Sequence, residues 1–350
     1  MAKLIVVGAG VMGLAAAYQA QCAGHSVTVY EAAPEPGGAA AHFMLGDIST
    51  ERFYHFVCKT DAPTFDLLQR LGLADKMRWV VTSMGCFIDG RLHEWGNPYA
   101  LLRFPGLNFV QKIRYGVLMF ISTRRDRWDS LEHRNARDWI TRWCGAAVYD
   151  RMWRPLFDLK FHQYVDDVSA AWIWRRIRRI GRSRRNLMQE ELGYIEGGSE
   201  TLVRALVDAI EAAGGQVVLS APVTRILTEA NQVTGVLAGG IEQPADAVIC
   251  TVPTPFVPLL VPDLPEPARE AYRAIVNTGV VCVVLRLARS VSPHFWVNIN
   301  DADIEIPGII EFSNLRPCAD HIVYVPYYMP ASHPKWSWSE AAFIDDAFAC

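Results

Sequence analysis

The sequence predicts an α/β fold: a Rossmann-like domain with a parallel sheet and a β-meander, into which an α+β domain is inserted. Three observations predict it. The first 38 residues read as strand, glycine turn, helix and second strand. From Gly197-Gly198 to Pro253 the same kind of strand and helix patterning resumes. The intervening and following stretches are of another kind, with a hairpin, helices rich in aromatic residues and arginines, and long apolar strands. At 350 residues the chain exceeds one average domain. The expected division is 1–60 and 196–262 for the dinucleotide domain, and 61–195 and 263–350 for a substrate domain.

In order along the chain, Leu4-Ile5-Val6-Val7 is the short apolar run of a strand buried on both faces. Gly8, Gly10 and Gly13 follow at G-x-G-x-x-G spacing. The first allows a tight turn, the second lets backbone approach a pyrophosphate, and the third lets helix and strand pack closely. Val11 and Met12 open the helix, whose N–H groups and macrodipole favour a phosphate. Gly24 ends the helix, Val27–Tyr30 is a second strand, and Glu31 stands at its end. A carboxylate there accepts both hydroxyls of an adenosine ribose and repels a 2′-phosphate, so the dinucleotide is FAD or NAD, not NADP.

Composition narrows the class. The 51% hydrophobic and 20% charged content suits a sizeable core. A net charge of −3 and a pI near 6.3 argue against a nucleic-acid-binding protein. Eight scattered cysteines show no C-x-x-C and no zinc spacing, so they read as reduced thiols and no metal is expected. The apolar start is too short for a signal peptide, and no run reaches the ~18–20 residues of a membrane span. The expected compartment is the cytoplasm.

Glu31-Ala32 is followed by Gly37-Gly38, an E-A-x-x-x-x-G-G run. With the glycine motif before it, this resembles the FAD-dependent superfamily of amine oxidases, protoporphyrinogen oxidases and phytoene desaturases. A second stretch, Trp153 to Gly198, carries W-x-P-L-x-x-x-K-F, S-A-A-W, R-x-x-R and L-G-Y-x-E-G-G. It is similar to a bacterial protoporphyrinogen-oxidase-like branch. The resemblance implies FAD, with Gly37-Gly38 near its phosphates and ribityl chain and the backbone of Val223 against its adenine. It also implies a continuation beyond Cys350 that returns to the cofactor domain, so the chain reads as a fragment. Many amine oxidases of this superfamily carry a lysine on a substrate-domain strand. The comparable segment, Asn277 to Leu287, has none, which favours dehydrogenation of a largely apolar substrate over amine oxidation. A UDP-sugar-mutase-like isomerase, an amine oxidase and a non-enzymatic dinucleotide-binding module are the rivals.

The remaining expectations concern the second domain. Met84–Ile88, Asp89-Gly90 and Arg91–Trp95 predict a hairpin with Asp-Gly at its turn. Gly116–Ile121 is apolar between cations, a pattern of either a domain-core helix or one resting on a membrane surface. Seven arginines fall in the eleven residues Arg175–Arg185, beside Trp172 and Trp174. They read as a solvated face, as a nucleic-acid patch, or as anchors for a substrate carboxylate or phosphate. In the third reading Trp172, Arg175 and Arg178 are the substrate residues, with His55 as a flavin-side position. No catalytic triad or metal-ligand spacing is present; the small-molecule substrate, the electron acceptor and the oligomeric state stay open.

Overall fold

The computed structural model of the chain describes residues 1–349. They divide into two compact units. The first comprises Met1–His55, Thr64–Met77 and Ile195–Asn277. The second comprises Phe56–Pro63, Arg78–Tyr194 and the chain from Thr278 onward.

In the first unit, four parallel strands lie in the order Ala247–Cys250, Lys3–Val7, Ser26–Tyr30, Gln216–Val218. Val6 sits between Ile249 and Val29 in register, and Ile5, Val6 and Val7 are buried, which is why the run carries no polar alternation. Helices Val11–Cys22 and Ser199–Ala212 pack together, with Gln21 Nε2 donating to the Ile210 carbonyl at 3.0 Å. Val223–Glu229, Gln232–Ala238 and Ile241–Pro244 form the antiparallel meander. The expected boundary fails at three places: residues 56–60 fall in the second unit, and two stretches move into the first. Helix Ala62–Arg70 runs largely within this unit because Leu68 and Leu73 are buried with Leu14, Leu202 and Leu206. Residues 263–277 also belong here, tied by Arg225 to Asp263 at 2.9 Å and by Asn277 Nδ2 to Thr254 Oγ1 at 3.0 Å.

The second unit is built on a six-stranded sheet. Its order is Thr278–Leu287, His321–Pro330, Gly308–Glu311, Trp296–Ile299, Met84–Ile88, Arg91–Trp95. Only the pair Trp296–Ile299 and Met84–Ile88 is parallel. The hairpin turn has φ of 54° at Asp89 and 68° at Gly90, the left-handed geometry that Asp-Gly tolerates. Helices Phe109–Arg124, Ala136–Cys144, Ala146–Met152, Arg154–Phe161 and Ala170–Gly181 enclose a core that includes Leu118, Leu131, Ile140, Val148 and Ile173. Their starts follow capping chemistry. Asn108 and Gln111 make a reciprocal capping box, and Asn135 and Ser169 accept from the backbone three residues on. Of the cysteines, Cys58, Cys86 and Cys144 are buried, whereas Cys22 is exposed; Cys350 lies outside the described residues.

Candidate functional site

The glycine loop of the first unit is shaped by what its glycines lack. Gly8 has φ of 102°, and a Cβ there would lie 2.8 Å from Thr251 Oγ1. A Cβ on Gly13 would lie 2.0 Å from the Gly8 carbonyl oxygen, so no larger residue fits. Gly10 differs: nothing lies within 4 Å of where its Cβ would be. It caps helix Val11–Cys22 without any side-chain hydrogen bond, so the helix start presents backbone N–H groups to that open space. Gly37 and Gly38 have φ of 116° and 58°, and Gly37 N–H donates to the Ala9 carbonyl at 2.8 Å. A Cβ on Gly38 would be 3.2 Å from Gly10 Cα. The two glycine clusters thus meet backbone to backbone.

Glu31 ends strand Ser26–Tyr30 and holds this arrangement. Its carboxylate accepts from Ala9 N–H at 2.7 Å and from Ala33 N–H at 2.9 Å. Its carbonyl accepts from Ala221 N–H at 2.8 Å, which brings the segment leading to Val223 alongside. Thr251 is the residue that sequence patterning missed; its Oγ1 donates to the Val7 carbonyl at 2.9 Å and packs under Gly8 and Gly13. His55 is held by a neighbouring carboxylate. Its Nδ1 lies 3.2 Å from Glu51, whose buried carboxylate also accepts from Ser199 N–H at 2.9 Å. Burial pushes the Glu51 carboxyl up, but bonds from His55 and Ser199 outweigh it and hold the group below its usual range.

The second unit contains a cavity of about 470 Å³. Its wall is aromatic and aliphatic, with Trp95, Tyr115, Trp153, Trp172, Trp296 and Tyr328 among the lining residues. Four ionisable side chains of opposite sign break this surface: Lys160, Arg176, Arg184 and Glu190. Lys160 Nζ lies 4.3 Å from the Tyr328 ring centroid and 5.6 Å from that of Trp172, and Arg176 lies 5.1 Å from the same Trp172 ring. Burial, with the Arg176 charge nearby, pulls Lys160 down to about 7. Burial pushes Glu190 up to about 7, against a hydrogen bond from Thr82 Oγ1 at 3.1 Å and the charge of Arg184.

A model of the family described as flavin containing amine oxidoreductase matches residues 12–340. The chain belongs to that family. It is 25% identical over 319 residues to the phytoene dehydrogenase of Streptomyces griseus, covering 79% of this chain and 60% of that one. The chain therefore spans about three fifths of that relative's length. An oxidoreductase from Methanosarcina mazei has the same fold, with a TM-score of 0.74 at 19% identity over 99% of this chain and 83% of that chain. Reduced UDP-galactopyranose mutase gives a TM-score of 0.72 at 16% identity, covering 99% and 78%.

The cofactor of this flavin family member is FAD, and the first unit fits it. Gly10 leaves its Cβ position open beside an uncapped helix start, where a pyrophosphate has room and N–H donors. Glu31 uses two acceptor positions on Ala9 and Ala33, and a carboxylate offers about four. Among the described residues no three His, Cys, Asp or Glu side chains gather as a metal site. Of the substrate residues read from the sequence, Trp172 lines the cavity. Arg175 does not; it is exposed. Nor does Arg178, which pairs with Asp126 and donates from Nε to the Arg125 carbonyl at 3.1 Å. Neighbouring Arg176 is the arginine on the cavity side of helix Ala170–Gly181. Lys160 was legible in part: it stands on helix Arg154–Phe161 one turn beyond Phe157, among residues whose spacing marks an inward face.

Proposed function

We propose that the protein is an FAD-dependent oxidoreductase that dehydrogenates a largely apolar organic substrate. The observation that carries this reading is the cavity of about 470 Å³, whose size and predominantly apolar wall suit a small organic molecule. FAD supplies the hydride acceptor when bound. Of the chain's own residues, Gly8, Gly10, Val11, Met12, Gly13, Gly37 and Gly38 cradle its phosphates with backbone. Glu31 and Ala32 flank its ribose, and Val223 its adenine. The aromatic wall of the second unit excludes water from the reacting bond and orients the substrate.

The cavity charges weigh against an amine. Lys160, Arg176 and Arg184 face a single carboxylate, Glu190, so an ammonium ion meets net repulsion. The same cations favour the mutase-like reading in one respect, since a diphosphate would suit them. Anaerobic mixing of the flavin-loaded protein with candidate substrates separates the two. Stoichiometric bleaching of the oxidised flavin band by an apolar substrate supports dehydrogenation. Isomerised product with no net flavin reduction would replace it with the isomerase.

The second unit also offers a surface for peripheral membrane contact. On helix Phe109–Arg124, Phe109, Val110, Ile113, Val117 and Phe120 are exposed along one face. Arg124 lies 4.2 Å from the Phe120 ring at the end of this face, while Lys112 and Arg114 donate to the carbonyls of Leu102 and of Trp143 and Arg142. Phe120, Gly116 and Thr123 of this helix also line the cavity. Among the described residues no helix is long and apolar enough to cross a membrane, so the contact is one of resting on the surface. Co-sedimentation with phosphatidylglycerol vesicles, lost in Phe109→Ser/Val110→Ser, tests it; equal sedimentation of parent and variant removes it.

A further inference from the structure

Lys160 is a half-buried cation that makes no ion pair with an acidic side chain among the described residues. Its ammonium lies against two rings, Tyr328 on strand His321–Pro330 and Trp172 on helix Ala170–Gly181. The one charge that acts on it is another cation, Arg176. The elements around it bring no relief. On its own helix Arg154 pairs with Asp150. His162 directs Nε2 at the Tyr328 carbonyl, 2.7 Å away. Strand Trp296–Ile299 contributes Trp296 and Asn298 to the cavity, and these bond each other at 2.9 Å. Asp158 carries a carboxyl raised by burial and is not in the cavity lining. The remaining cavity carboxylate, Glu190, is engaged by Thr82 and acts with Arg184.

We infer that Lys160 and Arg176 form the anion-binding end of the cavity, and that the substrate is an amphipathic anion: an apolar body bearing one oxyanion, carboxylate or phosphate. This deepens the reading above and rests on the cavity being the substrate site. Two cations sharing one indole repel each other, and each exchanges part of its water for an aromatic face. An oxyanion between them restores the lost solvation to both, as charge-assisted hydrogen bonds do. The rest of the ligand then fills the apolar wall. Burial already holds Lys160 down to about 7, so anion binding draws in a proton at higher pH. The sign follows: affinity is full where the lysine is protonated, below about 7, and falls as pH rises through that value.

Trp95, Trp153, Trp172 and Trp296 line the cavity, so quenching of intrinsic fluorescence reports occupancy. The probes are 1-decanesulfonate, whose charge is constant from pH 6 to 8.5, and neutral 1-decanol. Decanesulfonate should bind the parent roughly tenfold more tightly at pH 6 than at pH 8.5, while decanol shows no such step. Lys160→Met should lose the step and about tenfold in decanesulfonate affinity at pH 6, yet still bind decanol, which shows the cavity intact. Lys160→Arg should keep the affinity and lose the step, since arginine stays charged. Glu190 titrates in the same range, so Glu190→Gln is measured beside them and should retain the step. A step that survives in Lys160→Met and vanishes in Glu190→Gln overturns the inference, as does equal decanesulfonate affinity in parent and Lys160→Met. If decanol itself fails to bind the parent, the cavity is no apolar ligand site and the functional reading fails with it. Decanoate and decyl phosphate titrated side by side then name the head group by the tighter of the two.

Discussion

Glu51 and Glu190 are both buried, at 3% and 6% exposure, and their acidities move in opposite directions. Glu51, in the first unit, sits at the start of helix Ser199–Ala212, accepts from Ser199 N–H, and pairs with His55. Its carboxyl lies below the usual range. Glu190, in the second unit, has Thr82 Oγ1 and the more distant charge of Arg184, and its carboxyl is pushed up to about 7. Burial raises both; the difference is how many donors meet the charged form. Glu51 is spent on neighbours within its own unit and so fixes a backbone shape. The carboxyl of Glu190 is only partly met, which is the condition of a group in a site that completes itself with a ligand.

The largest effect expected on this contrast comes from the loop itself. Gly13→Ala places a methyl 2.0 Å from the Gly8 carbonyl oxygen and 2.9 Å from Thr251 Oγ1, between elements that cannot part. We expect a loss of about 3 kcal/mol or more in urea unfolding. Gly10→Ala has open space instead and should unfold within about 1 kcal/mol of the parent while losing flavin, read as the ratio of visible to protein absorbance. Equal flavin content in Gly10→Ala and parent would mean that the phosphates lie elsewhere.

Next come the two carboxylates. Glu51→Gln removes a charged acceptor from Ser199 and His55 and should cost about 2–3 kcal/mol at pH 7. Because the native carboxyl is depressed, that stability is present above the unfolded value of about 4.5 and is lost as pH falls through the native one. Glu190 runs the other way. Its contribution is complete below about 4.5 and is lost as pH rises to about 7. Glu190→Gln should therefore match the parent at pH 4 and exceed it in melting temperature at pH 8. Parallel pH profiles for the two variants would erase the distinction between the regions.

Glu31→Ala comes next. It leaves the N–H groups of Ala9 and Ala33 without their acceptor and should cost about 1.5–3 kcal/mol of unit stability together with flavin retention. Unchanged retention after gel filtration argues against the ribose role.

The loop was legible because its constraints are local. Four apolar residues, three glycines at fixed spacing, a helix and a terminal acid lie within the first 31 residues, and each restricts backbone geometry directly. Thr251 escaped because its partner, the Val7 carbonyl, is far away in sequence and reached only through the parallel pairing of Ala247–Cys250 with Lys3–Val7. The cavity was half legible. The sequence shows aromatic residues at Trp153, Phe157, Phe161 and Trp172, and edge contacts such as Phe161–Trp172 at 5.0 Å gather them into one interior. Which arginine faces inward was not legible, since helix Ala170–Gly181 spreads Arg175, Arg176, Arg178 and Arg179 over an arc of about 160°, and only packing chooses among them.

That choice gives the smallest expected effect and a sharp one. Arg175 is exposed, and Arg178 is held by Asp126 at a surface where Asp126 is itself 71% exposed. Arg176 lines the cavity, and Arg179 donates from Nε and a terminal nitrogen to Asp61 at 3.0 and 2.6 Å. Arg175→Gln/Arg178→Gln should leave decanesulfonate affinity where it was, because neither side chain lines the cavity. Arg176→Gln alone should weaken it several-fold at both pH 6 and pH 8.5, keeping the step that belongs to Lys160. Adding Arg179→Gln should lower stability by about 1.5–3 kcal/mol through the loss of the bidentate bond to Asp61, without further change in affinity. Two arginine pairs, each three residues apart on one helix, would then differ only in the direction they face. If Arg175 and Arg178 prove to be the pair that moves ligand affinity, the ligand lies outside this cavity.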